Sequence, residues 1–288
     1  MTTKNKCPKA VFDSIFVLTV FTLRARRSAL SVFFRTMPKF IRYRYQGKEA
    51  YGLLETEDRI RRISGDPFSG YQPAGGSLGL AEIKILPPCR PSKIIALGLN
   101  YRDHAREFNL EVPAEPLIFM KPPSAVIAAE EKIIIPAMSR QVDYEAELAV
   151  IIGRTGRNIS REAAFSYILG YTCLNDVTAR DLQTKDGQWT RAKGFDTFCP
   201  IGPCLVTDID PGDLAVQSYW NGELRQSSRT SRLIFSVAEL VEFVSRVMTL
   251  YPGDIISTGT PSGVGPMKSG GTVEVVVEQV GRLINKVE

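Results

Sequence analysis

The chain has 288 residues, 44% of them hydrophobic, with 36 Lys and Arg against 31 Asp and Glu. That is an ordinary globular composition, able to bury one large core or a large and a small one. Seven of the basic residues and a single acid, Asp13, fall in residues 1–36, so the formal +5 divides into +6 there and −1 elsewhere, which leaves the body without the basic footprint of a nucleic-acid binder.

From the N-terminus, Ala10 to Leu23 is apolar apart from Asp13 and a few hydroxyls, shorter than the about 20 residues needed to span a bilayer. The basic cluster Arg24-Ala25-Arg26-Arg27 follows, with no small-residue cleavage site. Residues 1–36 suit a mitochondrial transit peptide or, the preferred reading, a dispensable extension ahead of a working start at Met37. Two strand-like runs then flank Gln46-Gly47, and a Gly/Pro-rich stretch covers Gly65 to Gly79, so 37–88 reads as a small N-terminal domain of hairpins. Residues 89–288 form the main body. Apolar runs at Ile94–Leu97, Leu117–Met120, Ile133–Ile135, Glu145–Ile152, Gly170–Leu174, Val216–Trp220, Asp254–Thr258 and Thr272–Val277 predict strands, and Asn221-Gly222 predicts a type I′ hairpin. Helices are predicted only at Ser160 to Leu169 and, behind a Ser236/Glu239 capping box, to about Met248. Many strands with few helices give a β-rich α+β fold.

Asp143-Tyr144-Glu145-Ala146-Glu147-Leu148 is the most informative segment. Strand alternation puts Glu145 and Glu147 on one face and Ala146, Leu148, Val150 and Ile152 on the other. Two like charges in a buried strand repel and cost desolvation energy unless a cation or protons neutralise them; an exposed edge strand would remove the problem. Asp176 ends another apolar run and could complete an all-carboxylate site for a hard divalent metal. One histidine, His104, excludes a multi-histidine zinc site. If 100–107 is helical, His104 and Glu107 share a face as a water-activating dyad, or form an incidental surface pair. Arg180, Gln183 and Lys193 suit an anionic substrate, unless they lie in a solvated loop. The Gly-rich stretch from Thr258 fails as a Walker loop because Met267 precedes Lys268, and it reads as a tight turn presenting Thr260. Five cysteines, Cys7, Cys89, Cys173, Cys199 and Cys204, form no C-x-x-C pair and read as free thiols in a reducing compartment.

Five ordered blocks, Asn-Tyr-x-x-His-x-x-Glu at 100–107, Asp-Tyr-Glu-x-Glu-Leu at 143–148, Asn-Asp-x-Thr-x-Arg-Asp-x-Gln at 175–183, Lys-Gly-Phe-Asp-Thr-Phe-x-Pro-x-Gly-Pro at 193–203 and Pro-Gly-Asp-x-Ile-x-Thr-Gly-Thr-Pro at 252–261, together resemble the fumarylacetoacetate hydrolase superfamily. The resemblance implies a mixed β-sandwich roll behind a small N-terminal domain, a homodimer, and one Mg²⁺ or Mn²⁺ per chain. It assigns Glu145, Glu147 and Asp176 to the metal, Lys193 with Thr197 to metal-proximal support, and Arg180, Gln183 and Thr260 to substrate. His104 and Glu107 match the catalytic dyad of the acylpyruvase-like branch, and Lys193 has a catalytic role in stabilising the enolate charge. The implied reaction is hydrolysis of a C–C bond in a 2,4-dioxo acid, of acylpyruvate or fumarylpyruvate type, through a pyruvate enolate. A 2-hydroxyhepta-2,4-diene-1,7-dioate isomerase or an oxaloacetate decarboxylase would use the same groups, and a non-catalytic metal-binding scaffold would have no use for the dyad. The expected partners are a small 2-oxo acid and a second copy of the chain, without nucleic acid or membrane, in the cytoplasm or, with a transit peptide, the mitochondrion.

Overall fold

The computed structural model describes residues 37–107 and 111–288; the expected leader lies outside them. β1 (Lys39–Tyr45) and β2 (Lys48–Thr56) meet at Gln46-Gly47, both at positive φ (47° and 77°), the left-handed pair that a two-residue hairpin requires. β3 (Arg59–Asp66) and β4 (Gly70–Gly79) complete a meander whose last strand lies at the sheet edge, where Pro73 and a register shift near Arg61 are tolerated.

The chain continues through β5 (Lys84–Ile85), β6 (Ile94–Gly98), α1 (Arg102–Glu107), β7 (Leu117–Lys121) and β8 (Val126–Ile127). Then come β9 (Val142–Tyr144), β10 (Ala146–Ile152), β11 (Ile168–Asn175), β12 (Thr178–Ala179), α2 (Arg180–Asp186), α3 (Thr190–Lys193) and β13 (Cys199–Val206). The last part holds β14 (Ala215–Trp220), β15 (Glu223–Arg229), α4 (Val237–Val247), β16 (Ile255–Ser257), β17 (Gly265–Pro266), β18 (Thr272–Val277) and β19 (Gly281–Lys286).

The main sheet runs β4-β3-β2-β1-β13-β11-β10-β16-β6-β7, with β5 on β1 and β8 on β13. The N-terminal meander is therefore continuous with the body, joined where Lys39 and Phe40 pair with Val206 and Leu205. A second sheet, β15-β14-β18-β19, packs on one face. Between them Leu148, Val150 and Ile152 meet Val216, Val275, Val277, Leu283 and the apolar side of α4 in one core. The opposite face of β10 puts Ala149 and Ile151 in another core with Phe40, Ile94, Leu174 and Ile255. The fold is thus β-rich α+β, built as packed sheets.

Several local expectations are met for local reasons. Asn221 and Gly222 turn the β14–β15 hairpin at positive φ (52° and 81°), and Ser236 with Glu239 forms the reciprocal box that opens α4. Two expectations change. Ser160 accepts no capping hydrogen bond, the predicted helix is a 3₁₀ stretch, Arg161–Tyr167, and Ile168 already belongs to β11. Ile133 forms an isolated bridge to Val287, not a strand. Cys89, Cys173, Cys199 and Cys204 are buried free thiols; Cys7 lies outside the described residues. Among the described residues no helix is long and apolar enough to cross a membrane.

Candidate metal centre and active site

Glu145 sits at the break between β9 and β10, and Glu147 is two residues on, so both point from the same face. β10 is flanked by β11 and β16, which excludes the exposed-edge reading of the two acids. The register Ala146↔Asn175 sets Asp176 beside Glu145: the Asp176 amide donates to the Glu145 carbonyl at 2.8 Å, and Asn175 Oδ1 accepts from the Glu145 amide at 2.9 Å. One carboxylate oxygen from each of Glu145, Glu147 and Asp176 lies within 4.8 Å of the others, and the three residues are at most 4% exposed.

Two lysines reach this cluster. Lys193 Nζ lies 2.8 Å from Glu145 Oε2 and 2.7 Å from Asp176 Oδ2. Lys121, fully buried, donates to Asp176 Oδ1 at 2.6 Å and to the Val177 carbonyl at 3.2 Å. Arg180 adds a third cation, with Nε 2.8 Å from Asp143 Oδ2 and a terminal nitrogen 2.5 Å from Glu145 Oε1. Burial would raise the Glu145 carboxyl, but Lys193 and Arg180 override it and hold the group well below the ordinary range. Glu147 goes the other way: burial, reinforced by Asp176, pushes its carboxyl well above the usual value. Its Oε2 accepts from Ser257 Oγ at 2.5 Å and from the Gly259 amide at 2.7 Å, whereas Oε1 is buried without a hydrogen-bond partner. An all-oxygen donor set with one unsatisfied buried carboxylate oxygen fits a hard divalent cation.

The cluster opens into a cavity of about 250 Å³ lined by His104, Glu145, Arg180, Gln183, Thr184, Lys193 and Thr260, and by Leu97, Gly98, Leu99, Phe119 and Trp189. The condition of a helical segment at His104 is met by α1, and His104 Nδ1 lies 3.0 Å from Glu107 Oε2. Glu107 Oε1 accepts from the Gly263 amide at 3.0 Å, while Ser262 Oγ donates to Asp103 at 3.3 Å. The dyad is therefore tied to the loop after Thr260. An imidazole donating from Nδ1 to this carboxylate keeps Nε2 as its basic nitrogen.

The structure brings His104, Glu145, Arg180, Gln183, Lys193 and Thr260 to one cavity, with Glu147 and Asp176 in the adjoining carboxylate cluster. Gln183 Oε1 accepts from Arg180 at 2.6 Å. Thr260 Oγ1 donates to the Ala146 carbonyl at 2.9 Å and accepts from Gln226 Nε2 at 2.8 Å. Thr197 is placed differently: it does not line the cavity, its φ is 73°, and its hydroxyl accepts from the Ile134 amide at 2.9 Å, which makes it a loop clamp here. Sequence reasoning missed Lys121, which reads as a cation closing the apolar run Leu117–Met120. It also missed Gln226, whose signal is a buried amide in an otherwise exposed stretch of hairpin.

Residues 93–288 match the family model for the fumarylacetoacetate (FAA) hydrolase C-terminal domain, and residues 39–88 match an Rv2993c-like N-terminal model. An uncharacterised protein of Methanocaldococcus jannaschii is 58% identical over 217 residues, covering 75% of this chain and 89% of its own. A mitochondrial oxaloacetate tautomerase of Bos taurus is 46% identical over 220 residues, covering 72% and 70%. The crystal structure of a 2-hydroxyhepta-2,4-diene-1,7-dioate isomerase from Mycobacterium marinum superposes with a TM-score of 0.81 at 43% identity, covering 87% and 98%. The five sequence blocks, the packed sheets and the carboxylate cluster beside the cavity accord with these matches, and the chain belongs to the fumarylacetoacetate hydrolase family of enzymes.

Proposed function

We propose that this protein is a divalent-metal-dependent enzyme that moves a proton on a small 2-oxo acid through its enolate, with enol–keto interconversion of oxaloacetate as the reaction to test first. The observation that carries the reading is that His104, held by Glu107, and Glu145 of the carboxylate cluster line one cavity. The names of the tautomerase and isomerase relatives support it. Glu145, Glu147 and Asp176 would hold one Mg²⁺ or Mn²⁺ per chain, which when bound supplies the positive charge that stabilises an enolate. Arg180 and Gln183 orient the substrate carboxylate, and Lys193 sets a buried ammonium beside the reacting oxygens. His104 takes the proton from the carbon next to the oxo group and delivers it to the enolate oxygen, or runs the same transfer in reverse from enol to keto acid, while Glu107 holds the ring and balances the imidazolium that forms.

A second reading rests on the same dyad. With water at His104 in place of a substrate C–H, the site would hydrolyse 2,4-dioxo acids to pyruvate and a carboxylic acid. Oxaloacetate enol decay followed by ultraviolet absorbance, in parallel with acylpyruvate cleavage, separates the two. The primary reading expects enol conversion that EDTA abolishes and Mg²⁺ or Mn²⁺ restores. Fast acylpyruvate cleavage without tautomerase activity would replace it with hydrolysis, and inactivity toward both would overturn both.

A further inference from the structure

The cavity lining divides by chemistry. Its ionisable members are His104, Glu145, Arg180 and Lys193, and Arg180 and Lys193 are already engaged by Asp143, Glu145 and Asp176. Gln183, Thr184 and Thr260 add neutral polar groups, and Leu97, Gly98, Leu99, Phe119 and Trp189 form an apolar wall. Phe119 and Trp189 meet edge to face with centroids 5.1 Å apart, and Phe119 also lies 5.0 Å beneath Lys193 Nζ, so the wall begins where the charged end stops. Trp189 lies so close to Gly98 that a Cβ there would come within 2.7 Å of the indole. Only glycine lets the ring lie against the strand.

Leu99 is the unusual member of the wall. Its φ is 56°, a left-handed conformation uncommon for a bulky side chain. Asn100 fixes it: the buried Asn100 amide donates to the Thr258 carbonyl at 2.7 Å and to the Phe235 carbonyl at 3.1 Å, and its Oδ1 accepts from the Phe235 amide at 2.8 Å. Backbone strain next to a cavity, over-determined by its neighbours, marks a position that serves the ligand.

We propose that this wall of Leu97, Leu99, Phe119 and Trp189 is the subsite for the far end of the substrate, and that it selects 2-oxo acids whose tail is apolar over equally long ones that end in a second carboxylate. The inference rests on the 2-oxo acid reading of the site. A four-carbon dicarboxylate such as oxaloacetate keeps both charges near Arg180 and Lys193. A longer dicarboxylate would set its second charge on Leu97, Leu99, Phe119 and Trp189, while the lining's Arg180 and Lys193 are already paired with Asp143, Glu145 and Asp176, so its desolvation is poorly compensated.

The matched pair 2-oxohexanoate and 2-oxoadipate differs only in a terminal methyl against a terminal carboxylate. Calorimetric titration of each into Mn²⁺-loaded protein should show 2-oxohexanoate binding more tightly by about tenfold or more. Leu99→Arg should shrink or reverse that preference, and Leu99→Gly should weaken 2-oxohexanoate while folding at least as stably, because the strained side chain is gone. Equal binding of the pair by the unaltered protein, tighter binding of 2-oxoadipate, or binding of neither would overturn the proposal. Oxaloacetate turnover is assayed on the same sample. Its absence alongside an intact methyl preference would count against the proposed reaction, and its presence alongside equal binding would count against the apolar subsite.

Discussion

Glu147 concentrates the electrostatics of the site in one side chain. Its Oε2 is satisfied by Ser257 and Gly259, its Oε1 has no partner, and its carboxyl is driven up by burial and by Asp176. A metal must displace a proton from such a group, so affinity rises as pH rises and falls as pH falls through its raised range. Mn²⁺ titrations between pH 5.5 and 8 should show tightening of up to about tenfold per pH unit while one proton is released. Glu147→Gln should lose most of the affinity together with the slope; affinity that is flat with pH in the unaltered protein would contradict this account of Glu147. The carboxylate pair was legible in the sequence because strand alternation is a local rule, readable across Glu145-Ala146-Glu147. Lys121 was not, because its partner Asp176 is 55 residues away, and only the folded chain brings the end of β7 to the residue after β11.

At the scale of elements, the site is held by side chains that never touch the cavity. Gln226, on β15 and fully buried, accepts from the Ala146 amide at 2.9 Å and donates to Thr260 Oγ1 and to the Pro261 carbonyl, at 2.8 and 2.7 Å. It thereby ties the residue between the two glutamates to the loop that carries Thr260. Gln226→Leu would leave the Ala146 amide and the Pro261 carbonyl unpaired in the interior, at about 2–4 kcal/mol. Chemical denaturation should show that loss; a loss below about 0.5 kcal/mol would mean that the network relaxes around the change. The hairpins at Gln46-Gly47 and Asn221-Gly222 and the box at Ser236 were legible because each is fixed by residues within one turn. The stretch from Ser160 to Leu169 misled because its cap-like serine makes no cap, and pairing of Ile168 with Ile152 claims the end of the run for the sheet. Helix α2, which carries Arg180 and Gln183, is only seven residues long, too short for a periodic signal to separate it from a loop.

For the whole molecule, the cavity-lining residues and the carboxylate cluster all lie within residues 37–288, and the N-terminal meander joins the main sheet through β1 and β13. That junction was not readable from the sequence, since the predicted boundary near Pro87-Pro88 is a real change in composition but not a gap in strand pairing. A chain beginning at Met37 should match the full chain in melting temperature and Mn²⁺ affinity, and a clear loss in either would show that residues 1–36 pack on the body. The central claim, that a metal-supported His104 moves a proton on a 2-oxo acid, is tested most directly by deuterium incorporation next to the oxo group of 2-oxohexanoate in D₂O, followed by proton NMR. The account predicts incorporation that requires Mg²⁺ or Mn²⁺, stops in EDTA, and falls by about 10²–10⁴-fold in His104→Ala with Mn²⁺ affinity unchanged. Incorporation no faster than in buffer, or equally fast in EDTA or in His104→Ala, would contradict it.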